Sequence, residues 1–162
     1  MFKRSALVAA SLSAAFAMPM APSMADAAGA FSNFSGSWSG NGHMRLEGGR
    51  TEALRCKAYY SDKSGGNALG ISLRCASSAS KVELRANLTA SGNRVSGDWE
   101  ERQFNAAGRA SGTASGNRIS LAINGGGLTG SLSVTTNGSR QTVSIATENV
   151  ALKGIQIALA RD

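Results

Sequence analysis

"LRCKAYYSDKSGGNALGISLRC", running from Leu54 to Cys75, decides the fold. Leu54, Cys56, Ala58 and Tyr60 alternate with polar residues before the Gly-Gly pair, and Leu69, Ile71, Leu73 and Cys75 share one face after it. A period of two marks a strand with one dry face. A hairpin turned about Gly65 and Gly66 sets Tyr60 opposite Ile71, Ala58 opposite Leu73 and Cys56 opposite Cys75. The apolar faces and the sulfurs come into register together. Cys56 and Cys75 are the two cysteines of the chain. A disulfide closing this loop contributes about 3 kcal/mol in the chain-entropy account. A redox or metal pair fits less well, because there is no C-x-x-C spacing and no adjacent histidine.

The same logic extends along the chain. "TASGNRVS" at Thr89 to Ser96 returns as "TASGNRIS" at Thr113 to Ser120, and "TNGS" occupies Thr136 to Ser139. Gly-Asn suits a type II′ hairpin turn and Asn-Gly a type I′ turn, so these are repeated hairpin tips. Val82, Leu84, Ala86 and Leu88 alternate between them, as do Ile119, Leu121 and Ile123, then Val143 and Ile145, and finally Ile155, Ile157 and Leu159. No helical period of comparable length occurs, and both prolines, Pro19 and Pro22, lie near the start. The expected fold is all-β: an antiparallel up-and-down meander of eight to ten strands, with one disulfide. An open meander leaves two unpaired edges, so the sheet is expected to close into a barrel or flattened barrel.

The N-terminus reads as processing signal. Lys3 and Arg4 precede the apolar "SALVAASLSAAFAM", and small residues offer cleavage after Ala25 or Ala27. Residues 1–25 are therefore expected to be a signal peptide, 26–35 a flexible arm, and 36–162 a single barrel domain. No cysteine lies at the cleavage point, which argues against a lipoprotein and for a periplasmic or secreted protein. The chain carries 17 Lys and Arg against 10 Asp and Glu, and it stays basic once the leader is removed. Export, with arginines spread singly along strands, argues against nucleic acid. An envelope protein or an anionic membrane surface is the kind of macromolecular partner such a charge suits.

Side-chain direction tests the candidate chemistries. "GDWEER" gathers Asp98, Glu100 and Glu101, and paired carboxylates are what a glycosidase needs. A turn at Gly92 and Asn93, however, places Arg85 opposite Glu100 and Glu83 opposite Arg102, as outward ion pairs. Glu101 is the exception: it shares parity with Val95, Gly97 and Trp99 and should look into the barrel mouth. His43, the single histidine, falls outside with Ser39 and Asn41. No G-x-S-x-G opens a helix, and a lone histidine without free thiolates makes no usual zinc site. No catalytic residue, metal site or cofactor is therefore expected, and the protein reads as a non-enzyme.

"GSW" at Gly36 to Trp38 resembles the G-x-W that opens the first strand of lipocalin-type and avidin-type barrels, the calycin group. In lipocalins that tryptophan packs across one barrel end beside an arginine near the end of the last strand. The resemblance implies this barrel-end role for Trp38 and Arg161. The chain is also similar to small exported β-proteins of Gram-negative bacteria.

Inward positions by this register include Gly40, Gly42, Gly97, Gly112 and Gly130, with large groups at Trp38, Met44, Tyr60 and Trp99. Small residues on a wall leave either a cavity or a strongly coiled, flattened barrel. Two functions follow. One is a barrel that holds a small hydrophobic or lipid-like ligand, lined by Trp38, Met44, Tyr60, Trp99 and Glu101. The other is an envelope structural or interaction protein, or a protease inhibitor, that acts through its surface and N-terminal arm.

Overall fold

The computed structural model describes residues 28–162; the expected signal peptide lies outside the described residues. Ten antiparallel strands follow one another: β1 (Gly36–Leu46), β2 (Thr51–Lys63), β3 (Ala68–Ala76), β4 (Lys81–Ser91), β5 (Arg94–Glu101), β6 (Ala106–Ser115), β7 (Arg118–Gly125), β8 (Leu128–Asn137), β9 (Arg140–Glu148) and β10 (Leu152–Arg161). Each pairs with its neighbours in sequence, and β1 pairs with β10, so the sheet closes into a barrel. Closure removes both edges that a meander of this length would expose.

The founding hairpin has the expected register: Tyr60 faces Ile71, Ala58 faces Leu73, and Cys56 faces Cys75 across β2 and β3. The cysteines form a disulfide whose sulfurs lie in the core. Its connection differs from a two-residue turn. Lys63 and Ala68 are the last pair, leaving a four-residue loop through Ser64 to Asn67 with Ser64, Gly65 and Gly66 at positive φ. A symmetric extension of the loop leaves the register unchanged. At the other tips only the glycine takes positive φ: Gly92 at 60°, Gly116 at 53° and Gly138 at 59°. Asn137 pairs with Arg140, so the third turn is Gly138-Ser139, a type II′ pattern like the others in place of the expected Asn-Gly type I′.

The glycines of the inner face settle as coiling positions. A Cβ on Gly97 would stand 2.0 Å from the carbonyl oxygen of Asn87, and one on Gly112 2.0 Å from that of Ser120. Neighbouring backbones approach so closely there that no side chain fits. They are bends, and the core is filled instead by Trp38, Tyr60, Met44 and the alternating aliphatics.

One end of the barrel carries the four tips between β2–β3, β4–β5, β6–β7 and β8–β9. It is sealed by residues 30–34, which form consecutive turns with Phe31 and Phe34 fully buried. Phe31 N–H donates to the Gly66 carbonyl at 2.9 Å, and Asn33 Nδ2 donates to that of Gly116 at 3.0 Å. The described part of the segment expected to be a flexible arm, residues 28–35, thus carries a plug, because its two phenylalanines bury apolar surface that a free arm would leave in water. An inhibitory arm would need this segment free. Trp38 Nε1 donates to the Phe34 carbonyl at 3.1 Å, and Arg161 lies 4.2 Å over the Trp38 ring while donating to the Ser35 carbonyl at 2.6 Å.

Candidate functional site

The opposite end is built from the connections 47–50, 77–80, 102–105, 126–127 and 149–151, and among the described residues nothing plugs it. Behind these loops lies a cavity of about 200 Å³. Its walls come from the inward residues of β3 to β10, including Ile71, Leu88, Trp99, Leu121, Leu132 and Ile145. Ala86 and Ala110 are the short side chains of the wall, Ala86 opposite Trp99 and Ala110 between Gly97 and Ile123. Around the mouth Leu84, Ile123, Leu128 and Leu152 are only partly covered, and Phe104 is 56% exposed.

The polar groups of this wall have partners within the protein. Trp99 Nε1 donates to the Arg109 carbonyl at 3.1 Å, and Thr147 Oγ1 donates to the Leu152 carbonyl. Glu101 is buried at the rim, where Oε1 accepts the Glu83 N–H and Oε2 the Phe104 N–H, both at 2.6 Å. Its carboxylate therefore acts as a staple that ties the 102–105 loop, with Asn105 at φ 49°, to the start of β4. Charge-assisted bonds of this kind are roughly twice as strong as neutral ones. With both oxygens engaged, the cavity presents an almost wholly apolar surface.

The five expected lining residues divide. Trp99 and Glu101 line the cavity. Trp38 and Tyr60 belong to the sealed end and Met44 to the filled core; none of the three reaches the cavity. Parity gives the direction of a side chain, but not which end of the barrel is filled: Trp38 and Tyr60 lie toward the plug, while Met44, opposite Ile155, lies at the depth of the cavity without lining it. Phe104 escaped the sequence reading; a lone phenylalanine in the polar turn "RQFN" was the signal that could have found it. His43 is exposed on the outer wall, as its parity requires.

Neither expected outward ion pair forms: Glu83 is in no ion pair among the described residues, and Glu100 takes a different partner. Arg85 does face Glu100 in the ladder. Glu100 instead meets Arg102 Nε at 3.3 Å, and Asp98 meets Arg109 on β6 at 2.8 Å. Arg102 lies beyond the end of β5 and can fold back, while Asp98 stands directly opposite Arg109, so each acid takes the nearer guanidinium.

No protein-family model matches the chain, and no curated protein matches it. Among solved structures, the crystal structure of Rv2717c from M. tuberculosis superposes with a TM-score of 0.68 at 17% identity, covering 89% of this chain and 99% of that one. At that identity the likeness is one of fold: a closed antiparallel barrel of the same extent.

Proposed function

We propose that this is a non-catalytic, exported barrel that takes one small apolar or lipid-like molecule through the end opposite the Phe31 and Phe34 plug. The observation that carries this reading is the cavity of about 200 Å³ whose polar wall atoms are already satisfied by the protein itself. Apolar cavities of this order stay dry and accept benzene-sized guests, because water finds no partners in them. Trp99 supplies the largest contact surface, and Phe104 and the half-covered leucines form an apolar threshold. The disulfide suits the oxidising compartment that the leader implies. With Glu101 stapled by two backbone N–H groups and His43 on the outside, a general acid or base has no free side chain to act with inside the cavity.

Toluene titration followed by calorimetry tests the reading, alongside native mass spectrometry of gently purified protein. The parent should bind toluene, and Ala110→Leu, which fills the cavity from its wall, should weaken binding by at least about tenfold while the fold is retained. A parent that binds nothing, or a filled variant that binds equally well, would overturn it.

A further inference from the structure

The outer face of β1 to β4 carries a broad groove of about 940 Å³, on the other side of the wall from the interior cavity, with which it shares Val82, and lined by four exposed cations, Arg55, Lys57, Arg74 and Lys81. None of the four forms an ion pair among the described residues. Lys57 and Arg74 stand directly opposite each other across β2 and β3. Like charges in that relation are unfavourable; Glu83 stands opposite Arg74 on its other side, whereas Lys57 faces the neutral Ser39 on its own. The groove also holds two acids, Glu83 on β4, which stands opposite Arg74, and Asp162, which accepts a hydrogen bond from Ser39 Oγ; the four cations outnumber them. Beside the cations Tyr59 is 57% exposed, a large ring that the core does not use, and Asn41 and Ser72 present amide and hydroxyl groups.

We infer that this groove is a binding site for an acidic polysaccharide. Guanidinium and ammonium groups would take its carboxylates, the Tyr59 ring would lie against a sugar face, and the serine and asparagine groups would meet sugar hydroxyls. Concavity favours a chain lying in the groove over a flat bilayer. A nucleic-acid track would interleave several aromatic rings with the cations, whereas Tyr59 is the one exposed aromatic here.

Polygalacturonate binding by the folded, disulfide-intact protein tests the assignment, with dextran, phosphatidylglycerol vesicles and a single-stranded oligonucleotide as comparisons. Lys57→Gln combined with Arg74→Gln should weaken polygalacturonate binding by about tenfold or more, and Tyr59→Ala by about threefold. Arg94→Gln with Arg118→Gln, the same loss of charge elsewhere on the barrel, should leave it unchanged. The thermal midpoint of the Lys57 and Arg74 double variant should stay close to the parent's, since the repulsion it removes is offset by the loss of the Arg74 attraction to Glu83. Should that variant fail to fold, Tyr59→Ala and Arg55→Gln read the same site. An equal loss in the Arg94 and Arg118 control, tighter binding to the vesicles or the oligonucleotide, equal binding to dextran, or no binding by the parent would each overturn the proposal. Ala110→Leu leaves this groove untouched, so failure here is distinguishable from failure of the cavity reading.

Discussion

Tyr60 packs in the sealed half of the barrel, and burial pushes its phenol above the ordinary range. The folded state therefore holds this proton more tightly than the unfolded chain, whose tyrosine titrates near pH 10. The stability it confers is fully present below about pH 10 and is lost as pH rises beyond that, because only the unfolded form then gains by ionising. Denaturation between pH 8 and pH 11 should show the parent losing stability relative to Tyr60→Phe; parallel curves would contradict the burial argument. Gly112 sits at the other extreme of size. Gly112→Ala must push β6 away from the Ser120 carbonyl and should cost about 2 kcal/mol or more, measurable by urea unfolding. At this scale the sequence was legible wherever period two applied. Cys56 and Cys75, Glu101 and His43 all take the side that their parity assigns. It was illegible where two alternatives shared one parity, as with the glycines: an inward glycine reads the same whether it opens a cavity or admits a neighbouring strand.

Among the elements, the N-terminal plug does most to set the two ends apart. Phe31 and Phe34 bury their rings among the tips, and Trp38 and Arg161 hold the exit of the plug into β1. Phe34→Ala should destabilise the barrel by about 3 kcal/mol and raise amide exchange at Gly66 and Trp38 first. A variant with unchanged exchange at that end would show that the plug seals nothing. Hairpins were readable as elements because glycine supplies the positive φ that their turns demand. The plug was not, since a short turn without periodicity, placed after an expected leader, looks like a tail until the barrel end that receives its two phenylalanines is known.

At the scale of the whole molecule, the Cys56–Cys75 bridge joins only adjacent strands, so its effect should lie in the unfolded chain and not in the shape of the folded one. Reduction should lower stability by about 2 to 4 kcal/mol while the far-ultraviolet circular dichroism of the folded state stays unchanged. Closure of the barrel was foreseen from the cost of edges, and the strand count is the upper end of the expected eight to ten. The position of the cavity was not legible, because it depends on how inward side chains from β3 through β10 stack in depth, which no single strand encodes. The pairing of β1 with β10 carries a further consequence for how the molecule comes into being. Its seam joins the two most distant stretches of the domain, so the first hairpins must wait with an unmated border until the final ten-residue strand arrives. A chain cut short before Leu152 would keep two such borders for good, and its natural fate would be to find them on its own copies.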